Sequence, residues 1–207
     1  MRWLGIECAT ENCSVALFEQ GELLGGTAQV LGRGHAEALI PMIAALPDKG
    51  MAQRITVSLG PGSFTGLRVG LAAARALALA WQAELTGYAT HALVAAMARA
   101  TAGDQPVSTA MSGGHGEWFL SEFAAGGAMI AAPLSLAPAG AAAAAQAELV
   151  AGSQAEALVA LRGTGRALAV LPDARQLGLL DAAAFSSSVH LAYGRAPDAR
   201  LPGGLLP

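Results

Sequence analysis

Residues 57–81 read VSLGPGSFTGLRVGLAAARALALAW. A β-branched run at residues 55–59 stops at Gly60-Pro61-Gly62, and a long apolar helix follows. Such a strand, bounded by turn residues, belongs inside a sheet, and a strand feeding a helix through a glycine turn marks an α/β fold. The turn also resembles a phosphate loop, but the residue chemistry fails two templates. A Walker loop needs Lys and Ser/Thr after its last glycine, to reach phosphate and magnesium. Here Leu67 and Arg68 follow Gly66. A G-x-G-x-x-G fingerprint starting at Gly60 fails at its third glycine, where Thr65 stands. Two readings stay open: a tight strand-to-helix turn needed for packing, and a helix N-terminus whose free N–H groups meet an anion, with Ser63 or Thr65 as cap.

The helix itself is the more telling part. Between Ser63 and Trp81 only Arg68 and Arg75 are charged. A surface helix normally opposes its apolar stripe with a charged face. The helical pattern that starts at His35, with Ala36, Leu39, Ile40, Ile43 and Leu46 on one broad face, has the same shortage, with Glu37 its one acid. Two neighbouring helices without solvating faces predict an apolar patch used for association. The competing reading is that a second lobe covers both.

Working outward, residues 3–9, 14–19 and 23–31 read as a three-strand meander with turns at Thr10-Glu11-Asn12 and Gln20-Gly21. Strand, strand, strand, helix, strand, helix describes a mixed sheet carrying helices. From Glu84 the order recurs more faintly: a strand at 85–89, a helix at 91–101, a meander over 107–111, 117–122 and 128–136, and a strand at 167–170. The chain thus reads as two unequal copies of one mixed α/β unit, divided as residues 1–85 and a smaller lobe at 86–207. Residues 112–119, SGGHGEWF, form a hairpin turn, and the Ala-rich run at 139–152 reads as a poorly specified helix.

Composition narrows the function. With 54% hydrophobic and 13% charged residues and a net charge of -3, the chain lacks the basic footprint of an independent nucleic-acid binder. RNA involvement is expected through a partner. The chain shows no signal-peptide pattern, so the cytoplasm is the expected location and Cys8 and Cys13 are expected as buried thiols, although the pair can face each other across a hairpin. The uncharged stretch 123–147 is punctuated by Gly126, Gly127, Pro133, Pro138 and Gly140 and does not read as a membrane span. His35, His91, His115 and His190 include no i, i+4 pair, no metal site is predicted, and no G-x-S-x-G elbow occurs.

Four stretches together carry a resemblance: LGIECATENCSVALF at 4–18, GHAEALIPMI at 34–43, SLGPGSFTGLRVGLAAARALAL at 58–79 and YGRAPDARL at 193–201. The chain resembles the bacterial TsaB (YeaZ) family, itself similar to actin-like and sugar-kinase-like (ASKHA, ribonuclease H-like) ATPases and to the M22 glycoprotease group. The resemblance implies a non-catalytic scaffold in making N6-threonylcarbamoyladenosine at position 37 of tRNAs that read codons beginning with A. It implies the catalytic paralogue TsaD and the ATPase TsaE as partners, a homodimer when alone, tRNA only through the complex, and no membrane. Its interface falls on the two charge-poor helices, here His35, Leu39, Ile40, Ile43, Leu67, Val69, Gly70, Leu71 and Ala74. No cofactor of its own is expected; weak nucleotide or anion contact in the complex falls to Glu7, Thr10, Gly62 and Ser63.

Two departures from the family pattern bear on catalysis. Glu7 replaces the Asp of a D-T-[SA]-T turn, and Ser112-Gly113-Gly114 has lost the Asp and Arg of D-A-R. Actin-like ATPases use acids at these hairpins to place magnesium and water. The alternative, an autonomous ATP-dependent transferase or M22-type glycopeptidase of the same fold, is disfavoured by those losses. So it is by Leu39 standing where the paralogue's H-x-x-x-H motif needs a second histidine.

Overall fold

The computed structural model describes residues 1–194. A meander of β1 (Arg2–Glu7), β2 (Asn12–Glu19) and β3 (Glu22–Val30) leads to α1 (His35–Ala44), β4 (Arg54–Ser58), α2 (Phe64–Trp81) and β5 (Glu84–Tyr88). Their sheet has the order β3-β2-β1-β4-β5, with β1–β2 and β2–β3 antiparallel and β1–β4 and β4–β5 parallel. After α3 (Thr90–Ala102), the unit repeats as β6 (Val107–Gly114), β7 (Glu117–Phe123), β8 (Met129–Leu136), α4 (Pro138–Ala144), β9 (Leu149–Ala151), α5 (Ala155–Arg162) and β10 (Arg166–Leu168). The second sheet runs β10-β9-β6-β7-β8, the same topology as the first. The duplication read from the sequence is present, element for element.

Three differences have physical causes. The Ala-rich run at 139–152 is not one helix: α4 stops at Ala144, and Leu149-Val150-Ala151 forms β9, fully buried between β6 and β10. Alanine favours helix in isolation, but a β-branched residue flanked by buried partners is worth more in the sheet. The first sheet ends at Tyr88, so a division after residue 85 passes through β5. The chain after β10 returns to the first lobe: Ala174 and Leu177 pack with Ala16, Phe18, Tyr88 and Leu93, and Ala192 donates its N–H to the Leu59 carbonyl. The YGRAPDARL stretch lies outside the described residues beyond Gly194.

The first core lies between the sheet and the α1–α2 pair. Leu4, Ile6, Val15, Leu17, Ile55 and Val57 from the strands meet Leu39, Met42, Ile43, Leu71 and Ala74 from the helices. Each large side chain so buried contributes about 1.5–3 kcal/mol. By length and composition α2 matches a membrane span, but here it is a sheet-covering helix whose Gly66, Leu67, Gly70, Leu71, Ala74 and Ala78 are buried.

How closely α2 seats on the sheet is set by glycine. A methyl group on Gly66 would stand 2.0 Å from the Cys8 carbonyl oxygen, and one on Gly62 would stand 2.2 Å from that of Ala9. With neither present, Ser63 N–H donates to the Ala9 carbonyl at 2.7 Å, and the Ser63 hydroxyl caps the helix by accepting from Gly66 N–H at 3.3 Å. Gly60-Pro61-Gly62 is thus a packing turn in which the first free N–H of the helix is already spent. One helical turn further on the restriction lapses, since a methyl on Gly70 meets Cys8 Cβ at an ordinary 3.4 Å. Gly66→Ala is therefore expected to cost about 2 kcal/mol or more in urea unfolding. Gly70→Ala is expected to be neutral or stabilising, because alanine is favoured over glycine by about 1 kcal/mol within a helix.

Candidate functional site

Two surfaces lie at the elements singled out in the sequence. The first is the outward side of α1 and α2, which pack side by side on the sheet. Their outward positions are Ala36, Glu37, Ile40 and Ala44 on α1, and Arg68, Ala72, Arg75, Ala76, Leu79 and Ala80 on α2, all exposed. Among the described residues, the second lobe does not cover them. Both arginines are drawn toward the returning chain: Arg68 Nε donates to Tyr193 Oη at 3.3 Å and its guanidinium lies 3.7 Å from the Phe64 ring centre, while Arg75 donates to the Val189 carbonyl at 3.2 Å. The remaining ridge of Ile40, Ala72, Ala76 and Leu79 is uncharged, with Ile40 49% and Leu79 83% exposed.

Most of the nine residues expected at the interface are buried within the chain. Leu39, Ile43, Leu67, Gly70, Leu71 and Ala74 face the sheet and are buried, and Val69 is half-buried. His35 is also buried, its Nε2–H donating to the Thr10 carbonyl at 2.8 Å, and so it fastens the start of α1 to the β1–β2 turn. Ile40 alone of the nine is exposed. The reason is economy of apolar bulk: the large side chains go to the core, and the outward face is apolar through the alanines between them. The helical period carries that signal, because Ala72, Ala76 and Leu79 follow at i+4 and i+7.

The second surface is a cleft of about 850 Å³ between the lobes. The β1–β2 turn, with Thr10 and Glu11, and the start of α2, with Gly62, Ser63 and Arg68, form one wall; the β6–β7 hairpin, with Ser112 to His115, forms the other. Of the four residues proposed for anion contact, Thr10, Gly62 and Ser63 line this cleft. Glu7 does not. It is fully buried, where its Oε1 accepts from Ala9 N–H at 2.6 Å and its Oε2 from Tyr88 Oη at 2.8 Å. The longer acid thus braces the turn from within. Among the described residues, no three His, Cys, Asp or Glu side chains converge as metal ligands. His91, which lies between α3 and β6 with Nδ1 2.6 Å from Thr109 Oγ1, is held neutral by burial, its pKa lowered to about 3.

A duplicated mixed sheet with a cleft between its halves defines the actin-like class of proteins. Two comparisons bear this out: YeaZ from Pseudomonas aeruginosa superposes with a TM-score of 0.71 at 28% identity, covering 86% of this chain and 89% of that one. EutJ from Carboxydothermus hydrogenoformans shares the fold alone, with a TM-score of 0.52 at 11% identity. A sequence model of the family described as TsaD, tRNA N6-adenosine threonylcarbamoyltransferase, matches residues 25–184. The chain belongs to this family, and within it is TsaB/YeaZ-like. Its match to the tRNA threonylcarbamoyladenosine biosynthesis protein TsaB of Escherichia coli K12 is 33% identical over 128 residues, 59% of this chain and 55% of the relative. The matched stretch thus spans about half the length of that curated relative.

Burial pushes the Glu7 carboxyl up to about 7. The folded protein therefore favours the neutral acid, and the stability this confers is present at low pH and lost as pH rises through 7. Against Glu7→Gln, which stays neutral, the wild-type chain is expected to lose roughly 2–3 kcal/mol between about pH 5 and pH 8. Urea unfolding of both proteins at the two pH values measures it.

Proposed function

We propose that the protein is an accessory, non-catalytic subunit in the threonylcarbamoylation of adenosine 37 in tRNA, and that the outward α1–α2 face binds a TsaD-type paralogue. The observation that carries this reading is the uncharged ridge of Ile40, Ala72, Ala76 and Leu79 on two helices already seated on a complete core. An exposed apolar ridge of this kind gains by burial against a complementary helix pair. In the absence of the paralogue the same ridge pairs with a second copy. A TsaE-type ATPase joins the assembly, tRNA is reached only through it, and the assembly works in the cytoplasm. The turned-in Glu7 supports the non-catalytic part, because the acid at the D-T-[SA]-T position, which an ATPase of this class would aim at the cleft, points to Ala9 and Tyr88 and leaves only Glu11 of this turn at the cleft.

Ile40→Glu and Ala76→Glu test the interface. Both sites are exposed, so the unfolding temperature is expected to shift by no more than about 2 °C. Affinity for the paralogue, by titration calorimetry, is expected to fall roughly 30-fold or more, since an interfacial hot spot is worth about 2 kcal/mol. Normal binding by either variant contradicts the assignment.

The cleft favours a second reading, an ATP-dependent transferase acting alone, with Thr10, Gly62 and Ser63 toward the phosphates. The proposal predicts no ATP turnover by the isolated protein above background. Turnover that Glu7→Gln abolishes would establish the second reading in its place.

A further inference from the structure

The β1–β2 turn is flanked by a pair of core thiols whose chemistry the proposed function does not use. Cys8 and Cys13 stand opposite each other across the hairpin, one step beyond the Glu7–Ser14 pair, with their sulfurs 3.7 Å apart. Both are free and have no exposed surface. They lie on the helix side of the sheet, and a methyl on Gly70 of α2 would stand 3.7 Å from Cys8 Sγ. Between them runs the four-residue turn 9–12, whose Ala9, Thr10 and Glu11 line the cleft. The cleft lining thus begins one residue after Cys8 and ends two residues before Cys13, while both sulfurs are buried.

The same turn anchors both helices of the exposed face. The Ala9 carbonyl accepts from Ser63 N–H at the start of α2, and the Thr10 carbonyl accepts from His35 Nε2–H at the start of α1. The Glu11 carbonyl accepts from Leu31 N–H at 2.8 Å, which holds the end of β3. Whatever moves this turn moves the seats of α1 and α2 together.

We propose that Cys8 and Cys13 form a reversible intramolecular disulfide, with a peroxide as oxidant, and that its closure loosens the seats of α1 and α2 on the β1–β2 turn. The Cys13 sulfur attacks a peroxide oxygen and becomes a sulfenic acid as one water leaves. The Cys8 sulfur then displaces the hydroxyl from Cys13 and a second water leaves, so that two thiols and one hydrogen peroxide give one disulfide and two waters. The thiols divide these roles naturally. The hydrogen bond from Cys8 lowers the Cys13 pKa, while the same bond and burial raise that of Cys8. Closure draws the sulfurs from 3.7 Å to about 2.05 Å. The backbone that must follow is the turn holding Ser63 and His35. A dithiol reductant reverses the step by exchange.

The experiment treats the full chain with hydrogen peroxide at neutral pH, then counts free thiols after denaturation and weighs the tryptic peptide 3–33, which holds both cysteines. The two thiols are expected to disappear together, the peptide to lose two hydrogen atoms, and dithiothreitol to restore it. Amide exchange at Ser63 is expected to rise about 10-fold in the oxidised protein, as its anchoring bond weakens. In Cys13→Ser, the same treatment leaves Cys8 titratable. The wild-type peptide mass reports independently of how well that variant folds. Two free thiols at a dose that oxidises the urea-unfolded chain would overturn the disulfide, as would an oxygen adduct or a link between chains. A disulfide that leaves Ser63 exchange unchanged would overturn its coupling to the helices. None of these readouts depends on what the α1–α2 face binds.

Discussion

The descent of α2 onto the end of β1 is the contact from which the rest of the structure follows. Without a side chain on Gly62 or Gly66, the helix start lies against the Ala9 and Cys8 carbonyls, and Ser63 N–H closes onto Ala9. This fixes the depth of the helix, and with it the burial of Leu67, Leu71 and Ala74. Since α1 is fastened to the same turn through His35, the two helices are held as one plate over the sheet. The plate's inner side is fully used, and its outer side has little charge with which to meet water.

The two lobes have diverged around a shared plan. Each is a meander followed by helix, strand, helix, strand, and the two meander hairpins face each other across the cleft. In an ATPase of this architecture those hairpins present acids. Here the first directs Glu7 away from the cleft to Ala9 and Tyr88, and the second offers Ser112 and glycines. Such a cleft keeps hydroxyls, a helix terminus and the side chains of Glu11, Arg68 and His115, while Glu7 is turned away from it and its second hairpin carries no Asp. The investment lies instead in the outer face of the first lobe, where Arg68 and Arg75 are held aside by Tyr193 and Val189. That division of features fits the binding role proposed above.

The order of strands and helices along the chain was legible because strand and helix periods differ and because Gly60-Pro61-Gly62 marks the crossing from β4 to α2. The charge shortage of residues 64–81 is likewise legible, and the structure leaves the outward side of that helix with only Arg68 and Arg75 as charges. Which side of its helix each of the expected interface residues takes was not legible. Leu39, Ile43 and Leu71 turn to the sheet while the equally apolar Ile40 and Leu79 stay outside, so apolarity alone does not assign a side, and the alanines carry little signal one by one. Nor was β9 legible, since three residues within an alanine-rich run become a strand only when β6 lies beside them. The inward turn of Glu7 depends on Tyr88, 81 residues away, a proximity that no local pattern encodes.

The central claim is that the outer face of α1 and α2 is the binding surface and that the cleft is not. Amide hydrogen exchange of this protein, alone and mixed with a TsaD-type paralogue, tests it directly. The account predicts that protection on mixing gathers over residues 36–44 and 68–80 and leaves 112–115 unchanged. Protection confined to the cleft hairpins or to the β8 edge, with α1 and α2 exchanging as before, would contradict it.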